Sequence, residues 1–245
     1  MNNILKICVV LVGVLLVSPV LSADFQKGLD AYTNRDFATA LKEWKPLAEQ
    51  GTADAQTNLG LLYEKGHGVQ QDYKAAVKWY TLAAEQGFAD AQTNLGYIYK
   101  SGRGVPKDYK AAVKWYTLAA EQGFSRAQTN LGLMYDEGYG VTQDNMAAVK
   151  WYTLASEQGV ALAQYNLGLM YVQGKGVPQD YTNAHMWWSI AESLGEKRGR
   201  GDLVKVTGMM SSTQLETAKR LARECVEKNY RGCGEKTKVW WKFWQ

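Results

Sequence analysis

Two histidines and two late cysteines are the residues of this chain best suited to metal or nucleophilic chemistry. His67 stands in a glycine-rich segment, and His185 occupies the register of Val77, Val113 and Val149, so a metal would need cysteines or acids converging from different parts of the fold. The expectation is no metal, no cofactor, and a His185 partly buried on a helix. Cys225 and Cys233 flank the turn Asn229-Tyr230-Arg231-Gly232. A reactive dithiol prefers a C-x-x-C spacing; in an oxidising compartment this pair reads as a disulfide.

Other patterns invite sharper readings. The pairs Gly66/Gly68, Gly102/Gly104, Gly138/Gly140 and Gly174/Gly176 look like fragments of phosphate-binding loops, but none continues as G-x-x-G or G-K-[ST] after a strand. They read as helix terminators followed by turns. Arg200-Gly201-Asp202 spells the tripeptide that integrins read, yet it falls where a helix is expected, with Asp202 in the register of Asn58. Acids do not recur in a gathered pair; Asp136 is a singleton. Chemistry needing a general acid and base at one place therefore has little to use, and the chain is read as no enzyme.

Asparagines recur instead. Asn58, Asn94, Asn130 and Asn166 are each followed about one helical turn later by Leu61, Tyr97, Leu133 and Leu169. Amides flanked by apolar side chains can hold a partner's backbone while Tyr97 and Leu133 receive its side chains. Equally, each asparagine can bond the neighbouring unit's turn and serve the stacking itself. The candidate partner-binding set is Asn58, Asn94, Tyr97, Asn130, Leu133 and Asn166.

The elements that must position this row repeat every thirty-six residues. Trp79, Trp115, Trp151 and Trp187 share one register, and Gly87, Gly123, Gly159 and Gly195 share another. A unit of this size cannot bury its own apolar face, so neighbours must stack into a continuous core. Within a unit the pattern predicts two helices. In the first, Ala55, Leu59, Leu62 and Tyr63 form one arc while Gln56 and Thr57 point elsewhere; Gly66 ends it. Asp72, with Asp108, Asp144 and Asp180 in later units, then caps the second, which places Ala76, Trp79, Tyr80 and Ala83 on one face around an aromatic plug.

Helix, glycine turn and helix with the wording LGLLYEKGHGVQQDYKAAVKWYTLAAEQG resembles the Sel1-like repeat family, a relative of the tetratricopeptide repeats. The resemblance covers four units, 52–87, 88–123, 124–159 and 160–195. It implies an all-α, right-handed superhelical solenoid of antiparallel helix pairs used for protein contacts. Residues 24–51 read as a looser starting pair, with Asp36, Phe37, Ala40, Leu41, Trp44 and Gly51 in register. Residues 196–228 read as a degenerate closing pair, where Leu203 keeps the register of Leu59, Val204 and Thr207 replace glycine and tyrosine, and a helix restarts near Ser211-Ser212. Some cysteine-rich secreted relatives are linked to β-lactams. This chain lacks their cysteine pairs and any S-x-x-K, and offers Lys236-Thr237-Lys238 where a K-T-G would be wanted.

The ends differ from the array. Residues 1–23 combine one lysine, an apolar run from Ile7 to Val17, and small residues up to Ser22-Ala23, the pattern of a cleaved secretory signal. The run is short for a membrane span. Of 28 Lys+Arg and 24 Asp+Glu, only Lys6 lies in that leader, leaving a mature net charge of +3 with no basic block to suit nucleic acid. Residues 229–245 end in Val239-Trp240-Trp241-Lys242-Phe243-Trp244-Gln245, a tail suited to capping the array, touching a membrane surface or meeting a partner. The expected function is a non-catalytic scaffold, periplasmic or secreted, that binds a partner protein or peptide along its concave face. The runner-up is a protein that binds or hydrolyses an envelope polymer such as peptidoglycan.

Overall fold

The computed structural model of the chain describes residues 19–233, with side chains from residue 25 onward. Most of the leader and the aromatic tail, including Lys236-Thr237-Lys238, lie outside the described residues. Among those described there are twelve α-helices and no strand. The starting pair is α1 (Pro19–Thr33) and α2 (Phe37–Glu49). Four repeating pairs follow: α3 (Ala53–Lys65) and α4 (Tyr73–Glu85), α5 (Ala89–Ser101) and α6 (Tyr109–Glu121), α7 (Ser125–Glu137) and α8 (Asn145–Ser156), α9 (Ala161–Gln173) and α10 (Tyr181–Ser193). The chain closes with α11 (Arg200–Thr207) and α12 (Ser212–Glu227). From α1 to α10 each helix packs on the next, and α12 returns onto α10.

The helix boundaries follow from local chemistry. Asp72 accepts from the free amides of Lys74 and Ala75, and Asp144 and Asp180 do the same in their units. Asp108 accepts from Ala111. The first helix of each of the four repeats stops at a left-handed glycine; Gly66 has φ 70° and its amide donates to the Leu62 carbonyl. Ser211 and Gln214 form a reciprocal capping box that starts α12.

Two features of the packing depart from the pattern read in the sequence. The aromatic plug is Tyr80, Tyr116 and Tyr152, each fully buried, while Trp79, Trp115 and Trp151 are only half-buried. The reason lies in the facing helix. A Cβ on Gly60, Gly96 or Gly132 would meet the tyrosine ring at 2.7–2.8 Å, so each glycine exists to let that ring lie against bare backbone. Trp44 against Gly28 and Trp188 against Gly168 repeat the contact at the two ends. Trp115 instead spans the seam towards the preceding unit's core, with Lys114 over its ring at 5.3 Å. Trp187 is the exception, fully buried in the last core.

The second departure concerns Gln56 and Thr57, which are buried rather than turned outward. Thr57 donates to the Ala53 carbonyl of its own helix. Gln56 does more. Its amide donates to the Ala48 carbonyl at the end of the preceding pair (3.1 Å), and its carbonyl accepts from the Gln86 amide at 2.8 Å. Gln92 with Ala84 and Gln122, and Gln128 with Ala120 and Gln158, repeat this bridge. Gln164 continues it only halfway: it donates to Ser156, but the register of Gln158 is now held by Leu194, and the buried Gln164 carbonyl oxygen has no partner among the described residues.

The inner loops add a third tie. The residue between the paired glycines stacks on the first residue of the preceding second helix: His67 on Phe37 (centroids 4.1 Å), Arg103 over Tyr73 (5.7 Å), Tyr139 on Tyr109 (4.8 Å).

Two stability predictions follow from this packing. Tyr116→Ala should cost about 3–5 kcal/mol in a denaturant titration, and Trp115→Ala clearly less, because only the tyrosine is fully enclosed; the reverse order would overturn the assignment of the plug. Leu194→Gln should supply the missing donor to Gln164 and stabilise the protein by about 1 kcal/mol, read as a rise of roughly 2–4 °C in Tm.

Candidate partner-binding strip

The first helices α3, α5 and α7 run side by side, and their N-terminal ends show it. Arg126 reaches Asp90, one period earlier, at 3.4 Å. The Asp54 carboxyl is raised by burial first, and its neighbour Asp90 adds to the shift. The same alignment places Asn58, Asn94, Asn130 and Asn166 in a row, all half-buried, with Leu61, Leu133 and Leu169 also half-buried and Tyr97 exposed at 40%. The amides serve differently from unit to unit. Asn130 donates to the Arg126 carbonyl of its own helix at 2.9 Å, whereas the bridges between pairs belong to Gln56, Gln92 and Gln128. Asn166 faces the Tyr152 hydroxyl of the preceding unit.

Under this strip lie the hydroxyls of the plug tyrosines. Tyr80 donates to the buried Glu64 carboxylate at 2.9 Å, and Lys65 pairs with the same carboxylate at 2.7 Å. The register of Glu64 is held by Lys100, then Asp136, then Val172. The Tyr116 hydroxyl is buried with no hydrogen-bond partner among the described residues, and the buried Tyr152 hydroxyl has only Asn166 facing it. Burial raises both well above the usual phenol range. Burial also lowers Lys100 and raises Asp136, although Lys175 partly offsets the latter. Lone tyrosines, one lysine and one aspartate spread over separate units can bind polar groups; they do not form an acid–base pair around one reacting atom.

The remaining candidates have other employment. His67 is stacked on Phe37, and its ring lies 5.9 Å from that of Tyr32. His185 is buried more completely than the sequence suggested, with Nδ1 3.2 Å from the Ser189 hydroxyl, and burial first, then Lys219, holds its pKa below the usual value. Arg200-Gly201-Asp202 opens α11, where Arg200 pairs with Glu192 at 2.7 Å. Cys225 and Cys233 form a disulfide, Cα–Cα 5.4 Å. The loop it closes turns through left-handed Asn229 and Tyr230, lays the Tyr230 ring against Gly159, and donates the Gly232 amide to Glu157 at 3.1 Å. A cleft of about 470 Å³ opens beside this bond between α10 and α12, lined by Met186, Thr217, Leu221 and both cysteines. A shallower one of about 740 Å³ lies by the inner loop of the third unit, along Tyr135, Val141 and Met146. Neither contains the asparagine row.

Sequence reasoning passed over the two glutamine rows. The signal was present: Gln56, Gln92, Gln128 and Gln164 share one register and Gln86, Gln122 and Gln158 another.

Stacked helix pairs with a thirty-six-residue period and glycine-terminated first helices define a helical-repeat solenoid. The Sel1 repeat model matches residues 53–88, 89–124, 125–160 and 161–196, more than half of the sequence, and the chain belongs to the Sel1 repeat family. It is similar to a protective antigen of uropathogenic Escherichia coli with the same fold, at 35% identity and TM-score 0.74, over 83% of this chain. The match covers only 46% of that antigen, so this chain spans about half its length. A Sel1 repeat protein from Oxalobacter formigenes matches at 33% identity and TM-score 0.69, over 85% of this chain and 91% of the other. The immunity protein Pa5087 from Pseudomonas aeruginosa, at 20% identity and TM-score 0.51, over 88% of this chain and 84% of its own, shares the fold. No curated protein matches the chain.

The disulfide can be tested directly. Thiol labelling of the unreduced protein should find neither Cys225 nor Cys233, and reduction should cost about 2–3 kcal/mol by the chain-entropy argument, concentrated in α12. Free thiols on both would refute the bond.

Proposed function

We propose that this protein is a non-catalytic scaffold of the cell envelope, periplasmic or secreted, that binds a partner protein or peptide along the face built by its first helices. The observation that carries the reading is the aligned strip itself. Half-exposed amides at Asn58, Asn94, Asn130 and Asn166 stand beside Tyr97 and Leu133, while buried glutamines bridge the units next to them. Amides so placed can bond a partner's backbone. Family membership supports protein binding as the general use of such an array, and leaves the partner's identity to the strip's own chemistry.

Placement outside the cytoplasm is supported by the leader-like residues 1–23 and by the Cys225–Cys233 bond, which persists in an oxidising compartment. The relative described as a protective antigen fits the same setting. No described helix is long and apolar enough to cross a membrane. The array then meets its partner by one long face, without a span of its own among those helices.

A photo-crosslinking side chain placed at position 97 or 130 in intact cells should capture one discrete partner, and the same group at Leu82 on a second helix should not. Asn130→Ala and Tyr97→Ala should weaken that capture by about 1–2 kcal/mol while leaving helical circular dichroism nearly unchanged. Variants that melt early yet still bind would make the asparagines structural glue. The partner would then use another surface.

A further inference from the structure

We infer that the strip between the second and third units takes an acidic peptide segment, its Asp or Glu carboxylates seated around Tyr97 against Lys100, Arg103 and Arg126. The inference rests on the strip being the binding face and adds what the face selects. Arg126 reaches Asp90 with one nitrogen at 3.4 Å and stays 59% exposed, which leaves most of its five N–H donors unused. The Arg103 guanidinium lies over the Tyr97 ring at 5.3 Å and over Tyr73 at 5.7 Å; stacked in this way, its N–H edges remain open to an anion. Lys100 is half-buried, and neither it nor Arg103 has an ion pair among the described residues. Arg103 thus lies on Tyr97, Lys100 follows Tyr97 by one turn of the same helix, and Arg126 heads the next first helix beside Asp90.

The floor beneath adds an independent reason. In the first unit the Glu64 carboxylate supplies the acceptor that the buried Tyr80 hydroxyl needs. In the second unit the same register holds Lys100, which can only donate, and the buried Tyr116 hydroxyl has no acceptor among the described residues. Tyr97 and Arg126 are the charged or ionisable groups that act on that hydroxyl. An unpaired buried O–H is costly, and a carboxylate bound above it, or a water ordered by that carboxylate, restores the acceptor. Asp136 and Glu137 begin the next stretch with the opposite sign. An acidic segment is therefore held at one register and does not slide along equivalent units.

The test uses the purified, oxidised full chain and two acetylated, amidated hexapeptides, Gly-Glu-Glu-Gly-Glu-Glu and its glutamine counterpart, at fixed ionic strength. The glutamate peptide should shift the backbone amide resonances of residues 94–103 and 126–133, and the glutamine peptide should not. Arg126→Gln and, separately, Lys100→Gln should each raise the apparent Kd at least five-fold. Tyr116→Phe should raise it two- to three-fold with Tm unchanged or higher, because the hydroxyl removed has no partner among the described residues; Tyr80→Phe, which loses the bond to Glu64, should lower Tm. Equal shifts from both peptides, shifts centred on the second-helix lysines Lys74, Lys78, Lys110 and Lys114, no shifts at all, or binding indifferent to both cation variants would each overturn the inference. Crosslinking from positions 97 and 130 that succeeds in the same protein would then leave the scaffold reading standing and remove only its preference for acids.

Discussion

A buried amide that must spend both of its ends holds this array together. Gln56, Gln92 and Gln128 each donate to the closing carbonyls of the pair before and accept from a glutamine at the end of their own pair. Three helices meet at one side chain. An unsatisfied buried amide costs more than a made bond contributes, so the geometry of the junction is tightly specified. Apolar contacts supply most of the stacking energy, but they tolerate sliding. The amide junction does not, and it sets the rotation from one unit to the next.

Much of the fold was legible because periodicity reports on neighbours as well as on helices. The Asp72 cap, the left-handed Gly66 and the four units all follow from residue types that serve local backbone needs. What was misread depended on depth. Helical spacing put Trp79 and Tyr80 together on the apolar face, yet Gly60, Gly96 and Gly132 admit the tyrosines and leave the tryptophans to the seam. Gln56 and Thr57 looked like surface because polar residues usually are. Only the pairing of two glutamine rows across thirty residues makes burial affordable, and each row seen alone gives no sign of it. The asparagine strip was visible as a row; the buried glutamine bridges beside it were not.

The units are alike in their framework and different in what they expose. Position 64 and its equivalents pass from Glu to Lys to Asp to Val, and position 54 and its equivalents from Asp through Asp to Arg and Leu. Framework residues repeat because the junctions at Gln56, Gln92 and Gln128 are the same. The exposed ones vary because a partner is not periodic, and an array that bound one must distinguish its units.

The stacked loop residues bear on how such a chain changes length. Residues 79–96 and 115–132 differ only at Ala89/Ser125 and Asp90/Arg126, an invitation to unequal recombination. Excising thirty-six residues between them would set Tyr139 above Tyr73 in place of Arg103, another aromatic pair, and Arg126 opposite Asp54, another acid. Every glutamine junction would close as before. The molecule is thus built so that a whole unit can be dropped while its seams stay chemically matched, and the reach of its inner face is a heritable quantity that varies in steps of one helix pair.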